Sequence, residues 1–186
     1  MIMSEKLAYA TLGGGCFWCT EAVFLRLKGV KKVESGYSGG RPETATYDQV
    51  STGRTGHVEV IQITYNTNMI EFRDLLEIFF ATHDPTTLNR QGNDVGTQYR
   101  SVVFYHDKHQ KKVAEGLIQE LDKSGKYSKP IVTAVEPFTA FYKAEEYHQN
   151  FFAKNPNQAY ARVVIPPKLS KLEKGFTEKL KELSKE

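Results

Sequence analysis

Apolar residues recur along this chain at two spacings. In "NMIEFRDLLEIFFATHDP", Phe72, Leu75, Leu76, Phe79 and Phe80 fall at i, i+3, i+4, i+7 and i+8, which predicts a helix with one buried face that stops at Asp84-Pro85. A second helix is expected over "KHQKKVAEGLIQELDKSG", with Val113, Leu117 and Leu121 inward. "KLAYATL", "VKKVESGYSGG", "VEVIQITY", "SVVFYH" and "IVTAVEPF" read as strands, because β-branched and aromatic residues recur between Gly- and Asn-containing turns. After the first strand, "CFWCTEAVFLRLKG" sets Val23, Phe24 and Leu27 at helical spacing and closes on Gly29. Strands and helices alternate.

Two stretches stand apart from this pattern. "TTLNRQGNDVGTQYR", from Thr86 to Arg100, is polar, Gly-containing and aperiodic, and a loop of that length in a compact domain is read as a site loop. From Lys168 onward, Leu169, Leu172, Phe176, Leu180 and Leu183 keep helical register among lysines and glutamates, which predicts a solvated amphipathic helix over 168–186. No repeat, low-complexity segment or linker interrupts the chain, so a single domain over residues 1–186 is expected.

Composition narrows the function classes. About 40% hydrophobic residues in 186 suffice for one sizeable core. Twenty-five Lys and Arg against twenty-two Asp and Glu leave a net charge of +3, too small for an electrostatic footprint on nucleic acid or an anionic membrane. No apolar run approaches the roughly 20 residues of a membrane helix. Glu5 and Lys6 interrupt the N-terminal stretch, which lacks a basic segment followed by an unbroken apolar one. Two cysteines are too few for a secreted disulfide framework, so a cytoplasmic protein with thiols reduced at rest is expected.

Both cysteines lie in "GGGCFWCTE", residues 13 to 21. Cys16 falls at a predicted helix N-terminus, where the helix dipole and unpaired amides lower a thiol's pKa below the reference of about 8.5. The preceding glycines let the backbone turn and leave room beside the sulfur. They complete no dinucleotide fingerprint, since Phe17 and Trp18 stand where glycine is needed. Three readings of Cys16 and Cys19 stay open: a buried structural pair, half of a zinc site, or a redox pair. The redox pair is favoured, because residues i and i+3 at a helix start lie within disulfide reach and no second C-x-x-C or close His pair exists. Phe17 and Trp18, where not core, would suit a catalyst acting on a small apolar group, since sulfur and methyl groups pack on aromatic faces.

In "TGHVEV", period-2 alternation puts Glu59 on one face with Ile61, Ile63 and Tyr65, at the end of an apolar row. Burial there raises a carboxyl pKa and keeps the group protonated near neutrality, ready to protonate a departing oxygen. An exposed edge strand would leave it ionised.

These features together resemble the peptide methionine sulfoxide reductases of the A type. The likeness rests on "GGGCFWC", "GYSGG" at 36 to 40, "PETATYDQVSTGRTGHVEVIQITYN" at 42 to 66, "THDPTTLNRQGNDVGTQYRSVVFY" at 82 to 105 and "AEEYHQNFFAKNP" at 144 to 156, a family core over 7–156. It implies an α+β fold, a ferredoxin-like core whose mixed sheet is flanked by helices, followed here by the C-terminal amphipathic helix. It further implies reduction of methionine S-sulfoxide, free or in proteins, without cofactor or metal, by thioredoxin or a similar dithiol, in a protein expected to be monomeric. By position, Cys16 matches the nucleophile, Glu59 the general acid, Tyr47 and Tyr99 the hydroxyl donors to the sulfoxide oxygen, and Asp94 a polar pocket residue. Phe17 and Trp18 match the wall that receives the substrate methyl. Many members carry recycling cysteines in a C-terminal tail; this chain has none there. Cys19 is therefore expected to resolve a Cys16 sulfenic acid as a Cys16–Cys19 disulfide. A general thiol-disulfide oxidoreductase would need neither Glu59 nor the tyrosines, and a non-catalytic binding module would have only the aromatic content and the tail behind it.

Overall fold

The computed structural model of the chain describes residues 3–182. A six-stranded sheet runs in the order β7-β6-β1-β3-β2-β8. Its strands are β1 (Leu7–Gly13), β2 (Val30–Ser38), β3 (Val58–Asn66), β6 (Val102–Tyr105), β7 (Ala134–Pro137) and β8 (Tyr142–Lys143). All neighbours are antiparallel except β6 and β7, so the sheet is mixed and the class α+β. The four inner strands arise from a β-α-β-β-α-β run in which α1 (Phe17–Phe24) follows β1 and α3 (Phe72–Thr82) follows β3.

One face of the sheet carries the main core. Leu12 pairs with Ile61 and Ala10 with Ile63, and these side chains meet α1, α3, α4 (Lys108–Ser124) and α6 (Ala159–Gly175) in one buried cluster. Val58, Val60, Val102 and Phe104 point the other way, into a smaller cluster with Phe138 and Phe141. β3 is thus apolar on both faces, and Glu59 falls on the helix-covered one. It sits in the sheet interior, opposite Tyr37 on β2, not on an edge.

α1 is buried nearly all round, between the sheet and helices α5 (Phe151–Lys154) and α6. α3 matches its sequence reading and is closed at its start by a reciprocal capping box, the Glu71 amide donating to Asp74 Oδ2 at 3.0 Å. The aperiodic stretch from Thr86 to Arg100 holds a hairpin of two-residue strands, β4 (Arg90–Gln91) and β5 (Asp94–Val95), and a 3-10 turn at Thr97–Tyr99. Strands of two residues are too short for any period to register.

The C-terminal helix is displaced from its expected position. It spans Ala159–Gly175, not 168–186, and runs through Pro166 and Pro167. Prolines in a helix interior remove amides and argue for a break, but Ala161, Ile165, Leu169 and Leu172 on both sides of them are buried against α1 and α3, and that packing holds the helix together. After Gly175 the chain makes a 3-10 turn, and Leu180 bridges antiparallel to Leu27, with the Lys181 amide donating to Arg26 O at 2.8 Å. Leu183 lies outside the described residues. No helix of the described residues is long and apolar enough to cross a membrane.

Candidate active site

The two cysteines sit where β1 hands over to α1. Gly15 takes φ +90°, a left-handed conformation that L side chains rarely adopt, and any Cβ there would lie 2.6 Å from Gln91 Cγ. The turn presents Cys16 as the N-cap of α1 without a side-chain cap, so the first amides of the helix stay available. One of them, the Phe17 N–H, donates to Glu59 Oε1 at 3.1 Å and ties the helix start to β3.

Cys16, Phe17, Trp18, Tyr47, Glu59, Asp94, Tyr99 and Tyr160 line one cavity of about 230 Å³. Every residue singled out from sequence, Cys19 excepted, is therefore in one place. Tyr47 begins the short helix α2 (Tyr47–Val50), Asp94 comes from the hairpin and Tyr99 ends its 3-10 turn. Cys19 is one turn further along α1 and only 2% exposed, its amide donating to Cys16 O at 3.1 Å. Both sulfurs are free thiols.

Electrostatics separate these groups. Burial pushes the Glu59 carboxyl up to about 8, against the opposing hydrogen bond from Phe17; the carboxyl is thus mostly protonated at neutral pH. For Cys16 the outcome differs from the sequence expectation. The Trp18 amide at the helix start pulls its pKa down, but burial outweighs it and raises the thiol well above its ordinary value, with Cys19 and the Glu59 charge acting in the same direction. Cys19 moves down, because the Cys16 thiol hydrogen-bonds to it and the Lys168 ammonium adds a smaller favourable effect against burial. Burial raises Tyr47 and Tyr99 as well, so both keep their hydroxyl protons.

Phe17 and Trp18 are both wall and core. Phe17 is 1% exposed, against Tyr37 and His148, while half-buried Trp18 stacks on Phe151 with centroids 3.6 Å apart and planes within 4°. The Trp18 indole N–H donates to His148 Nδ1 at 3.0 Å, which places the proton of neutral His148 on Nε2. That nitrogen is buried with no partner among the described residues, and burial lowers the His148 pKa.

Besides His148, three residues given no role from sequence support this arrangement. Tyr160, on α6, donates to Asp94 Oδ2 and has its hydroxyl 3.9 Å from Cys19 Sγ. Glu145 accepts the Tyr37 hydroxyl at 2.9 Å and the Tyr47 amide at 3.0 Å, fixing the start of α2. Glu21, buried in α1, accepts from Ser35 Oγ and the Asn150 amide, so the segment carrying His148 and Phe151 is fastened to the helix that carries the cysteines. Glu145 and His148 lie inside "AEEYHQNFFAKNP", but only contacts between residues about a hundred positions apart give them meaning. Among the described residues no group of three or more His, Cys, Asp and Glu is arranged to hold a metal.

The family model "Peptide methionine sulfoxide reductase" matches residues 8–180. The chain belongs to that family. Peptide methionine sulfoxide reductase MsrA of Saccharolobus solfataricus is 55% identical over 172 residues, 92% of this chain and 96% of the relative. The reduced form of Mxr1 from Saccharomyces cerevisiae superposes with TM-score 0.76 at 38% identity, covering 82% of this chain and 88% of the other. A structure of Mxr1 in complex with Trx2 superposes with TM-score 0.54 at 28% identity over 81% of this chain and 90% of the other. The family match extends past residue 156, through α6 and to the bridge at Leu180, so α6 lies within the matched region. This methionine sulfoxide reductase of the A type is an oxidoreductase.

Proposed function

We propose that the protein reduces methionine S-sulfoxide, free or in oxidised proteins, in the 230 Å³ cavity, with Cys16 as nucleophile and Glu59 as acid. The observation that carries this reading is the buried Glu59 carboxyl, its pKa raised to about 8, on the same cavity wall as a sulfur and two protonated tyrosines. Cys16 Sγ attacks the sulfoxide sulfur, Glu59 delivers a proton to the oxygen, and Tyr47 and Tyr99 hydrogen-bond to that oxygen as charge develops on it. The S–O bond breaks as the protonated oxygen leaves as water. A water then adds to Cys16 Sγ as the bond between Cys16 and the substrate sulfur breaks and releases the thioether. The protons released restore Glu59, so sulfoxide plus thiol becomes thioether plus sulfenic acid with no net proton uptake. Trp18 and Phe17 hold the methyl group, and Asp94 with Tyr160 closes the polar side.

Cys19 then attacks the sulfenic sulfur, giving a Cys16–Cys19 disulfide and water. Its position one turn from Cys16, with the Lys168 ammonium and the Tyr160 hydroxyl favouring its thiolate, supports that role. A dithiol of the thioredoxin type restores both thiols, a reading supported by the complex of the yeast relative with Trx2. No other cofactor is required, because both electrons come from thiols.

The test is single-turnover reduction of a methionine S-sulfoxide peptide without reductant. Wild type forms one methionine per chain and loses both free thiols; Glu59→Gln slows that burst by about 10²–10³-fold, and Cys16→Ser abolishes it. A burst of unchanged rate in Glu59→Gln sinks the acid assignment.

A further inference from the structure

A second cavity, of about 570 Å³, opens on the same pair of sulfurs from another side, between α6 and the β4–β5 hairpin. It is lined by both cysteines and by Gly92, Val163 and Lys168, and shares only Cys16, Asp94 and Tyr160 with the sulfoxide cavity. Cys19 faces this second cavity alone of the two. Its mouth is accessible: Val163 is 73% exposed, and a Cβ built on Gly92 would meet nothing within 4 Å. Lys168 is half-buried at the wall and anchored through Nζ to Thr82 O at 2.9 Å.

We propose that a dithiol reductant enters through this second opening and attacks Cys16 Sγ, expelling Cys19 toward Lys168, so that the mixed disulfide forms on the nucleophilic cysteine. The inference rests on the Cys16–Cys19 disulfide of the preceding section. Access favours it, since Cys16 is half-buried whereas Cys19 is 2% exposed inside the helix. The leaving group favours it too. Thiol-disulfide exchange is faster when the departing sulfur has the better stabilised charge, and a departing Cys19 has the Lys168 ammonium and the Tyr160 hydroxyl beside it, whereas a departing Cys16 thiolate would face burial and the Glu59 charge.

The electrons balance. The reductant's first thiolate forms a bond to Cys16 Sγ as the Cys16–Cys19 bond breaks, leaving Cys19 as thiolate. The reductant's second thiolate attacks its own partner sulfur, and Cys16 departs and takes up a proton. The dithiol is oxidised by two electrons and the protein disulfide is reduced by two. Throughout, the sulfoxide cavity need not open.

The experiment uses the full chain, oxidised by one turnover of a methionine S-sulfoxide peptide, with the disulfide first verified by intact mass as the loss of two hydrogens. Absence of that disulfide defeats the preceding reading before the inference is reached. A thioredoxin whose second active-site cysteine is replaced by serine is then added, the reaction acid-quenched early, and free thiols alkylated with N-ethylmaleimide. Peptide mapping is expected to find thioredoxin on Cys16 and maleimide on Cys19; thioredoxin on Cys19 overturns the proposal, as does an intact disulfide with no adduct.

Rates provide the second measurement. Val163→Trp, at the mouth and outside the sulfoxide cavity, slows reduction of the disulfide by intact thioredoxin at least fivefold and leaves the methionine burst unchanged. Equal reduction rates in Val163→Trp and wild type reject the entry route. Lys168 acts through Cys19: Lys168→Gln moves the Cys19 thiolate absorbance titration, measured in a Cys16→Ser background, to higher pH, and Lys168→Arg restores it. An unmoved titration removes Lys168 from the scheme.

Discussion

At the scale of single residues, Glu59 sets the pH behaviour. Its pKa in the folded protein, about 8, lies above the value of an exposed glutamate, so the proton is bound more tightly folded than unfolded. Its contribution to stability is fully present below the unfolded pKa and is lost as pH rises through about 8, with a slope of at most about 1.4 kcal/mol per pH unit. Between pH 5 and 8, urea unfolding is expected to show wild type losing stability relative to Glu59→Gln. The methionine burst has the same sign, falling as pH passes about 8 because the acid has lost its proton; a burst rate that is flat from pH 6 to 9.5 would contradict this. Period-2 alternation in "VEVIQITY" was enough to place Glu59 on an apolar face. Alternation could not order the forces on Cys16, where an amide and a buried environment oppose each other and only the packing density around the sulfur decides which prevails.

At the scale of elements, the turn from β1 into α1 is built around Gly15. Gly15→Ala forces a Cβ into a φ of +90° and against Gln91, which neighbours Cys16 across the second cavity. A loss of about 1–2 kcal/mol is expected from the backbone conformation alone, with the reduction step perturbed as well. Denaturant melts beside burst kinetics separate the two effects, and a melt like that of wild type would show the turn relaxing at no cost. Helix α3 was legible from five apolar residues at helical spacing and from its proline stop. α6 was only half legible: two adjacent prolines argue locally for a boundary, and the buried residues before them, Ala161 and Ile165, are defined by what α1 and α3 present.

At the scale of the whole molecule, the site exists because five distant segments converge on the start of one helix. Residues 16–19, 47, 59, 94–99, 145–151 and 160 meet through the Glu59–Phe17, Trp18–His148, Glu145–Tyr47 and Tyr160–Asp94 hydrogen bonds. The C-terminal bridge closes the same body from behind, on the segment just after α1. Leu180→Ala, at a half-buried position that lines neither cavity, is expected to cost about 1–2 kcal/mol in unfolding free energy with an unchanged methionine burst; a burst slowed in proportion would mean that the bridge holds α1 in place for catalysis. The sequence by itself determined the elements with a strong local period and the thiol pair with its aromatic neighbours, and through family resemblance it nominated Cys16, Glu59, Tyr47, Asp94 and Tyr99 for the roles proposed above. These are properties of residue type and short spacing. Only the tertiary structure decided that Cys16 rests as a thiol, that Tyr160, His148, Glu145 and Glu21 brace the site, and that a second opening reaches Cys19. Each of those depends on burial and on contacts between residues roughly a hundred positions apart, which local spacing does not encode.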